Sequence, residues 1–367
     1  MQVLFDSQIF LMQKYGGVSK YFANLVDCLS RTSCSPKIQA AFHRNSYLSA
    51  IRQDLVQGIY LPRFPEKAKK ITRSLNSLVA QTVSWRGKAA ILHETWYDGS
   101  KVKVGKIMVT TVFDMIQELY PELFGSRDKT AQHKRRSVME ADHVFCISEN
   151  TRQDLIRIYD IPHHKISVTH LACDAPVAVD SRQSAEFAGS QPYILYVGQR
   201  SGYKNFSSVI EAVASDPEIK KRFRIIAFGG GSFTETEKKS LDRLGLSGGM
   251  VVQTAGGDAL LADYYAKASA FVYPSKYEGF GIPPLEAMSY GCPVVASNAS
   301  CLPEIIGDAG EYFDPVNTQS LKQALSLVLF DRSHAAHLRK LGFQRLSRFS
   351  WEKCASQTLD QYKKLAS

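Results

Sequence analysis

The sequence lacks several features that mark common classes of protein. Its 367 residues include seven cysteines but no Cys-x-x-Cys pair, and no Asp-x-Asp triplet occurs. Scattered cysteines in an odd number are typical of a reduced, cytosolic chain and argue against a zinc site. No apolar run approaches the length of a membrane span, and the first residues predict a strand rather than a signal peptide. We therefore expect a cytoplasmic protein that binds neither a metal nor a cofactor.

Positive charge is in excess, and it is unevenly distributed. The net charge is +10, and residues 1–175 carry most of it, with 24 Lys and Arg against 16 Asp and Glu. Such an excess implies anionic partners, namely a phosphate-bearing substrate, an acidic membrane surface or nucleic acid. No nucleic-acid motif accompanies the charge, so we expect no nucleic-acid partner.

One basic stretch of this half, residues 66–83, has the pattern of an amphipathic helix. Basic residues between Arg63 and Arg73 are interleaved with apolar ones. Such a helix can lie on an anionic membrane or bind a lipid diphosphate, which would place the protein on the inner face of the cytoplasmic membrane. The alternative, which is the more ordinary one, is a surface helix with its apolar side on the domain core.

The segment Tyr273–Ser297, YPSKYEGFGIPPLEAMSYGCPVVAS, has the pattern strand, glycine loop, helix and strand. Glu278 lies in the glycine loop, and Glu286 lies in the predicted first turn of a helix that begins at two prolines. Glycines let a backbone approach a ligand, and a helix N-terminus suits a phosphate. A carboxylate can hold a vicinal diol, so the segment fits a nucleotide sugar. The alternative is that both glutamates are ordinary solvated side chains.

A second glycine-containing turn, residues 198–205, follows the predicted strand Tyr193–Val197 and precedes a predicted helix. It carries Arg200 and Lys204, which can form a cationic clamp on a phosphate. The alternative is that both are solvated surface charges.

The order of predicted elements indicates an α/β protein of two domains. Strands and helices alternate from residue 193 to residue 313, which predicts a parallel, doubly wound sheet, and the N-terminal half begins in the same way. Residues 172–191 are rich in small residues and have no periodicity, so we interpret them as the linker.

Together these segments resemble the retaining GT-B glycosyltransferases of family 4. Glu278 and Glu286 match the E-x7-E signature of that family, and the likeness continues through GCPVVAS, LPEIIGDAG and YVGQRSGYKN. The resemblance implies two Rossmann-like domains that face each other across a cleft, with a C-terminal helix that crosses back to the N-terminal domain. It implies an acceptor-binding domain of residues 1–175 with 350–367, and a nucleotide-sugar-binding domain of residues 176–349.

The resemblance also implies roles for individual residues. Arg200 and Lys204 would bind the donor diphosphate, Glu278 the hydroxyls of the sugar and Glu286 those of the ribose. The candidate catalytic residues are Glu278, Arg200, Lys204 and Asp114. The candidate donor-binding residues are Gly17, Gly198, Arg200, Lys204, Glu278, Gly279, Phe280, Gly281, Ile282 and Glu286. The candidate acceptor-binding residues are His93, Phe113 and Ser148.

One position departs from the family pattern. Members commonly have a histidine after the strand that corresponds to Ile107–Val112, where this chain has Phe113. A phenylalanine would favour an apolar C6, which predicts a 6-deoxyhexose such as rhamnose as the transferred sugar. The alternative is that Phe113 belongs to the core.

The expected activity follows from the resemblance. The start of the chain, FDSQIFLMQKYGGVSKYF, is similar to bacterial enzymes that extend surface polysaccharides with mannose or rhamnose. We expect metal-independent, retaining transfer of a hexose from a GDP-activated nucleotide sugar to a glycan or a polyprenyl-diphosphate-linked glycan in polysaccharide or lipopolysaccharide synthesis. The alternatives are a sugar-nucleotide epimerase or phosphorylase of the same shape, a hydrolase with the two glutamates as acid and base, and a non-catalytic basic binding protein.

Overall fold

The computed structural model divides the chain into two compact units. The first comprises Met1–Leu171 with Ser350–Ser367, and the second comprises Ala172–Phe349. Most of the predicted linker and almost all of the predicted basic helix at 66–83 lie outside the described residues. No helix in the described part of the chain is long and apolar enough to cross a membrane. The structure describes residues 1–61, 72, 75–76, 91–97, 107–177 and 191–367.

The first unit is built on a parallel sheet. Its strands are β1 (Gln2–Phe5), β2 (Ser35–His43), β3 (Val56–Tyr60), β4 (Ile91–Glu94), β5 (Ile107–Val112), β6 (His143–Cys146) and β7 (Ile166–Val168). They are ordered β3-β2-β1-β4-β5-β6-β7, and every neighbouring pair is parallel. The order reverses between β1 and β4, which is the topological switch point where ligands bind in doubly wound sheets.

Helices connect and cover these strands. They are α1 (Gln8–Met12), α2 (Gly17–Leu29), α3 (Ile116–Leu119), α4 (Thr130–Glu140) and α5 (Glu149–Tyr159). Helix α2 buries an apolar stripe that includes Tyr21, Phe22 and Leu25, as its 3.6-residue periodicity predicts.

The second unit repeats this plan. Its strands are β8 (Tyr193–Val197), β9 (Arg224–Phe228), β10 (Val251–Thr254), β11 (Ala270–Tyr273), β12 (Val294–Ser297) and β13 (Gly310–Phe313). They form a parallel sheet in the order β10-β9-β8-β11-β12-β13. Strands such as β12 are buried along their whole length, because helices cover both faces of a parallel sheet. The predicted doubly wound sheet is therefore confirmed.

Eight helices of the second unit complete the two layers around this sheet within the described residues. They are α6 (Phe206–Ala214), α7 (Pro217–Arg222), α8 (Glu235–Arg243), α9 (Asp258–Lys267), α10 (Ile282–Ser289), α11 (Leu302–Ile306), α12 (Thr318–Phe330) and α13 (Arg332–Leu346). Helix α10 begins at Ile282, one residue before the proline pair, so Glu286 lies in its second turn and not in the predicted first turn.

The last helix, α14 (Trp351–Ala366), returns to the first unit and packs beside α2. Its Tyr362 is fully buried, and the phenol oxygen lies 2.5 Å from Nδ1 of His93. The other ring nitrogen of His93 lies 2.8 Å from the Thr111 hydroxyl. The imidazole is stacked between Phe5 and Phe145. His93 is therefore the point where the C-terminal helix, β1, β4, β5 and β6 meet.

The buried position makes His93 sensitive to acid. Burial, and then the nearby His143, lower the pKa of His93 to about 3 from an ordinary 6.5. Below pH 6.5 the unfolded chain takes up a proton that the folded unit does not accept, so stability falls as the pH falls. Burial likewise lowers the pKa of His143 to about 4, which acts in the same direction.

We predict that the free energy of unfolding of this protein falls as the pH is lowered from 7 to 5, and that His93→Gln removes part of this pH dependence. The contribution of His93 to that interval is about 2 kcal/mol in the free energy of unfolding. Urea denaturation at both pH values measures it. Tyr362→Phe is the control, because it removes the hydroxyl and leaves the titrating ring in place. An unchanged pH dependence in His93→Gln would contradict this account.

Candidate active site

The turn that carries Lys204 and the glycine loop that carries Glu278 lie next to each other in the second unit. Strands β8 and β11 are neighbours in the sheet, so the turn after β8 and the glycine loop after β11 leave the same edge. Lys204, from the turn, donates a hydrogen bond of 2.7 Å from Nζ to Oε1 of Glu278, from the loop. The side chains are 21% and 10% exposed, respectively, so the pair is largely withdrawn from water. The structure thus joins the predicted cation and the first glutamate of the E-x7-E pattern.

The backbone around Glu278 is fixed from two sides. Its N–H donates to Oγ of Ser300 at 3.0 Å, and its carbonyl accepts the thiol of Cys301 at 3.1 Å. Tyr273, at the end of β11, hydrogen-bonds to its carboxylate. Burial, and then the charge of Glu278, raise the pKa of Tyr273 well above its usual value, so the phenol stays protonated and serves as a donor.

Asn205 fixes the turn that carries Lys204. The residue is in the left-handed conformation, with φ of 56°, and is nearly buried. Its amide donates to the carbonyls of Pro274, after β11, and Pro315, after β13, at 3.2 and 2.9 Å. Asparagine adopts this conformation more readily than most residues, and its side chain here ties three loops together. The lysine therefore stands on a cross-linked backbone.

Gly281 and Gly198 differ in what surrounds the position of a Cβ atom. A Cβ on Gly281, which has φ of +87°, would lie 2.9 Å from Leu302, so the loop can turn into α10 only without a side chain. Gly198, with φ of +128°, has open space where its Cβ would be. Backbone is thus exposed at the end of β8, where a ligand can approach it.

Arg200, the other cation of the predicted phosphate clamp, is hydrogen-bonded to protein groups in this structure. Its side chain is 3% exposed. Nε donates to Glu237 at 2.6 Å, and the two Nη atoms donate to the carbonyls of Gly229 and Ser232 at 3.0 and 3.1 Å. The guanidinium also packs on the ring of Phe233. These protein groups use its donors, so Arg200 supports the turn after β9, and Lys204 remains as the predicted cation of the clamp.

Glu286 projects from α10 and is half-buried. Its Oε2 accepts a hydrogen bond of 3.2 Å from the phenol of Tyr265, on α9. Burial, and then the charge of Glu286, raise the pKa of Tyr265, which keeps this donor protonated. Phe280 is buried against Phe349, so its ring supports the loop and is not directed at a ligand.

The first unit places its predicted residues less favourably. Ser148 is buried and accepts the N–H of Thr151 as the N-cap of α5. Phe113 is 7% exposed and packs edge-on against Tyr21 and Phe22. Both residues, like the buried His93, are part of the core or of a helix cap. The structure thus places the three predicted acceptor residues inside the first unit, and the burial of Phe113 favours the alternative that this residue belongs to the core.

Asp114 is the predicted residue of the first unit that stays partly exposed, at 29%. Its Oδ1 accepts the N–H of Ile116 at 3.0 Å and lies 3.8 Å from the buried ammonium of Lys134. Gly17 opens α2 with open space around its Cα. These two positions can still face a ligand.

Sequence reasoning missed the residues that hold the site in place. Asn205, Ser300, Tyr273 and Glu237 act through tertiary hydrogen bonds, which leave no spacing pattern in the sequence. An asparagine directly after Lys204 is a sequence signal for this turn, because asparagine adopts the left-handed conformation that Asn205 has here. Among the residues that the structure describes, no group of three or more His, Cys, Asp or Glu could hold a metal ion.

Comparisons with known proteins cover most of the chain. The family model described as glycosyl transferases group 1 matches residues 179–345. The O-antigen chain mannosyltransferase B of Escherichia coli is 33% identical over 269 residues, which are 70% of this chain and 70% of that protein. The serotype-specific mannosyltransferase WbdA of Escherichia coli is 29% identical over 61% of this chain, and the match spans only 29% of that longer protein.

A solved structure with a similar fold is the sucrose-phosphate synthase from Thermosynechococcus elongatus. It has a TM-score of 0.78, covers 99% of this chain and 98% of its own, and is 20% identical in sequence. At that identity the likeness concerns the fold alone.

We predict that Arg200 and Glu237 are coupled in stability. Arg200→Ala, Glu237→Ala and the double variant should show a coupling of about 2 kcal/mol in the free energy of unfolding, because Glu237→Ala removes the carboxylate partner of a guanidinium that is only 3% exposed. Urea denaturation measures this coupling. The exposed pair Lys238 and Glu235 on the same helix as Glu237 is the control and should show no measurable coupling. Additive effects of Arg200 and Glu237 would refute the supporting role.

Proposed function

Because the chain belongs to the glycosyl transferases group 1 family, we propose that it transfers mannose from a nucleotide-diphosphate mannose to a glycan acceptor. Membership confirms the resemblance drawn from the E-x7-E segment, and the chain-wide structural likeness confirms the GT-B fold. The chain is thus a glycosyltransferase. This sets aside the epimerase, phosphorylase, hydrolase and binding-protein alternatives.

Relatives support the choice of sugar. Two similar proteins of Escherichia coli are named as mannosyltransferases, one of them acting on the O-antigen chain. We propose the same sugar here, activated by GDP, and an acceptor that is a growing surface polysaccharide, free or carried on a polyprenyl diphosphate. The burial of Phe113 removes one reason for expecting a 6-deoxyhexose, and mannose is the sugar in the names of these relatives.

The contact that carries the proposal is the one between Lys204 and Glu278. A diphosphate binds to a cation, and the hydroxyls of a sugar donate hydrogen bonds to a carboxylate. The structure holds the ammonium of Lys204 and the carboxylate of Glu278 2.7 Å apart, near the open backbone of Gly198. In the unliganded protein the two groups neutralise each other. A donor that offers both phosphate and hydroxyls can engage them together.

The proposed site has to stabilise the negative charge that develops on the leaving group. Negative charge grows on the β-phosphate as the bond to the sugar breaks. Lys204 would stabilise it from a position that Asn205 fixes in advance, and one such preorganised donor is worth about 3 kcal/mol in the barrier. Because the cation is a side chain, we propose that transfer does not require a metal ion.

The two glutamates would orient the ends of the donor. Glu278 would accept hydrogen bonds from hydroxyls of the sugar, and Glu286, held by Tyr265, from hydroxyls of the ribose. We propose retention of configuration without a fixed enzymatic nucleophile. Asp114, the partly exposed carboxylate of the first unit, is the candidate for contact with the acceptor.

The donor prediction is tested by measuring hydrolysis and transfer with a panel of nucleotide sugars. We expect GDP-mannose to raise the melting temperature and to act as donor in the presence of EDTA, with an α-linked product. UDP-glucose and TDP-rhamnose are the comparison donors. A preference for either of them would refute the proposed donor, and loss of transfer with EDTA would refute metal independence.

A second prediction concerns the ion pair. Glu278→Gln should bind free nucleoside diphosphate about tenfold more tightly, since Lys204 no longer shares its charge with a carboxylate, while the transfer rate falls at least about a hundredfold. Isothermal titration and initial rates measure both. Glu286→Gln is the matched control, because it keeps the ion pair and should weaken nucleotide binding. Weaker nucleotide binding in Glu278→Gln would contradict the proposed exchange.

A further inference from the structure

A cavity of the first unit brings together basic side chains that form no ion pair with a described residue. Its volume is about 290 Å³, and its lining includes Trp96, Arg127, Asp128, Lys129 and His133. It opens beside the carboxyl end of β4, and the ligand-binding edge of a parallel sheet is at the carboxyl ends of its strands.

The charges around this cavity are unbalanced. Arg127 and Lys129 are exposed and His133 is half-buried, and no side chain in the described part of the chain forms an ion pair with any of them. The one carboxylate of the lining, that of Asp128, accepts the N–H of Thr130 at 2.7 Å. Like charges held around one hollow repel each other, so the arrangement favours an anion.

A contrast within the same unit shows that this imbalance is not general. Lys134, one turn further along α4, is fully buried, and its ammonium donates to Glu118 at 2.9 Å and to the carbonyl of Asp114 at 2.8 Å. Arg136 pairs with Glu140. Lys134 and Arg136 thus have carboxylate partners, whereas Arg127 and Lys129, which precede α4, form no ion pair with a described residue.

The wall of the cavity adds an apolar surface to the charge. The indole of Trp96 is half-buried and lies against the ring of Tyr97, at 4.9 Å between centroids. Tyr97 is held in place because its hydroxyl donates to the carbonyl of Thr111 at 2.8 Å. A fixed aromatic face packs well against a sugar ring or a hydrocarbon chain.

We propose that this cavity binds a phosphate ester of the acceptor, with Arg127, Lys129 and His133 around the phosphate and the sugar or isoprenyl group beside it against Trp96. The assignment of this phosphate to the acceptor rests on the proposed function, whereas the binding of a phosphate does not. Two sources share this chemistry: a lipid-linked diphosphate and a soluble sugar phosphate.

Binding is tested in the Lys204→Ala background, so that the diphosphate site of the second unit does not contribute. Titration calorimetry with farnesyl diphosphate and with mannose 1-phosphate should detect binding of at least one. Arg127→Gln or Lys129→Gln should weaken it about tenfold and the double variant about a hundredfold, since each charged hydrogen bond contributes about 1.4 kcal/mol. Tighter binding of farnesyl diphosphate would identify the lipid-linked source, and tighter binding of mannose 1-phosphate the soluble one.

Arg136→Gln is the matched control, because it removes the same charge from α4 outside the cavity and should leave binding unchanged. No binding of either ligand, or equal weakening by Arg136→Gln, would overturn the proposal. In the otherwise unchanged enzyme, Arg127→Gln should raise KM for the acceptor and leave KM for the donor unchanged. Absence of transfer with every donor would refute the proposed function. Phosphate binding in the cavity would still be decided by the calorimetric titrations alone.

Discussion

The contact between Lys204 and Glu278 is the constraint on which the second unit depends. Its 2.7 Å separation requires that β8 and β11 be neighbours, and therefore that the strand order reverse between them. Two charges this far from water are stable only where geometry and additional hydrogen bonds compensate for lost solvation. Asn205 and Ser300 supply those bonds to the backbone on either side. The fold thus brings the charges together, and the loops hold them there.

The two units treat charge in opposite ways. The second unit pairs its site cation with a carboxylate inside the protein, whereas the first leaves Arg127 and Lys129 without an ion-pair partner among the described residues. The excess of positive charge in residues 1–175 has the same sign as this local imbalance. A paired cation discriminates among ligands, because a ligand must replace the partner. An unpaired cation attracts anions over a distance and so increases encounter rates.

Periodicity and glycine placement predicted most of the fold. The bounds of β5 and β8 agree with the predicted strands because both are rich in residues that favour strands and are buried in a parallel sheet. Strand β3 was missed, since an edge strand with Gly58 and exposed residues has no such run. The family resemblance singled out Lys204 and Glu278, which the structure brings together. It could not show that Arg200 and His93 are hydrogen-bonded within the protein, because a sequence does not say whether a polar side chain is satisfied by ligand or by protein.

The ion pair also bears on how a donor differs from its product. On the proposed function, a nucleoside diphosphate without its sugar would attract Lys204 away from Glu278 and leave a carboxylate that is only 10% exposed without a counter-charge. An uncompensated buried charge is costly, so free product would bind at a disadvantage. The intact donor would avoid that cost, because its hydroxyls would donate to Glu278 while its phosphates engaged Lys204. Loss of the sugar would then re-form the pair and favour product release, so one contact would both select the donor and limit inhibition by the nucleotide left behind.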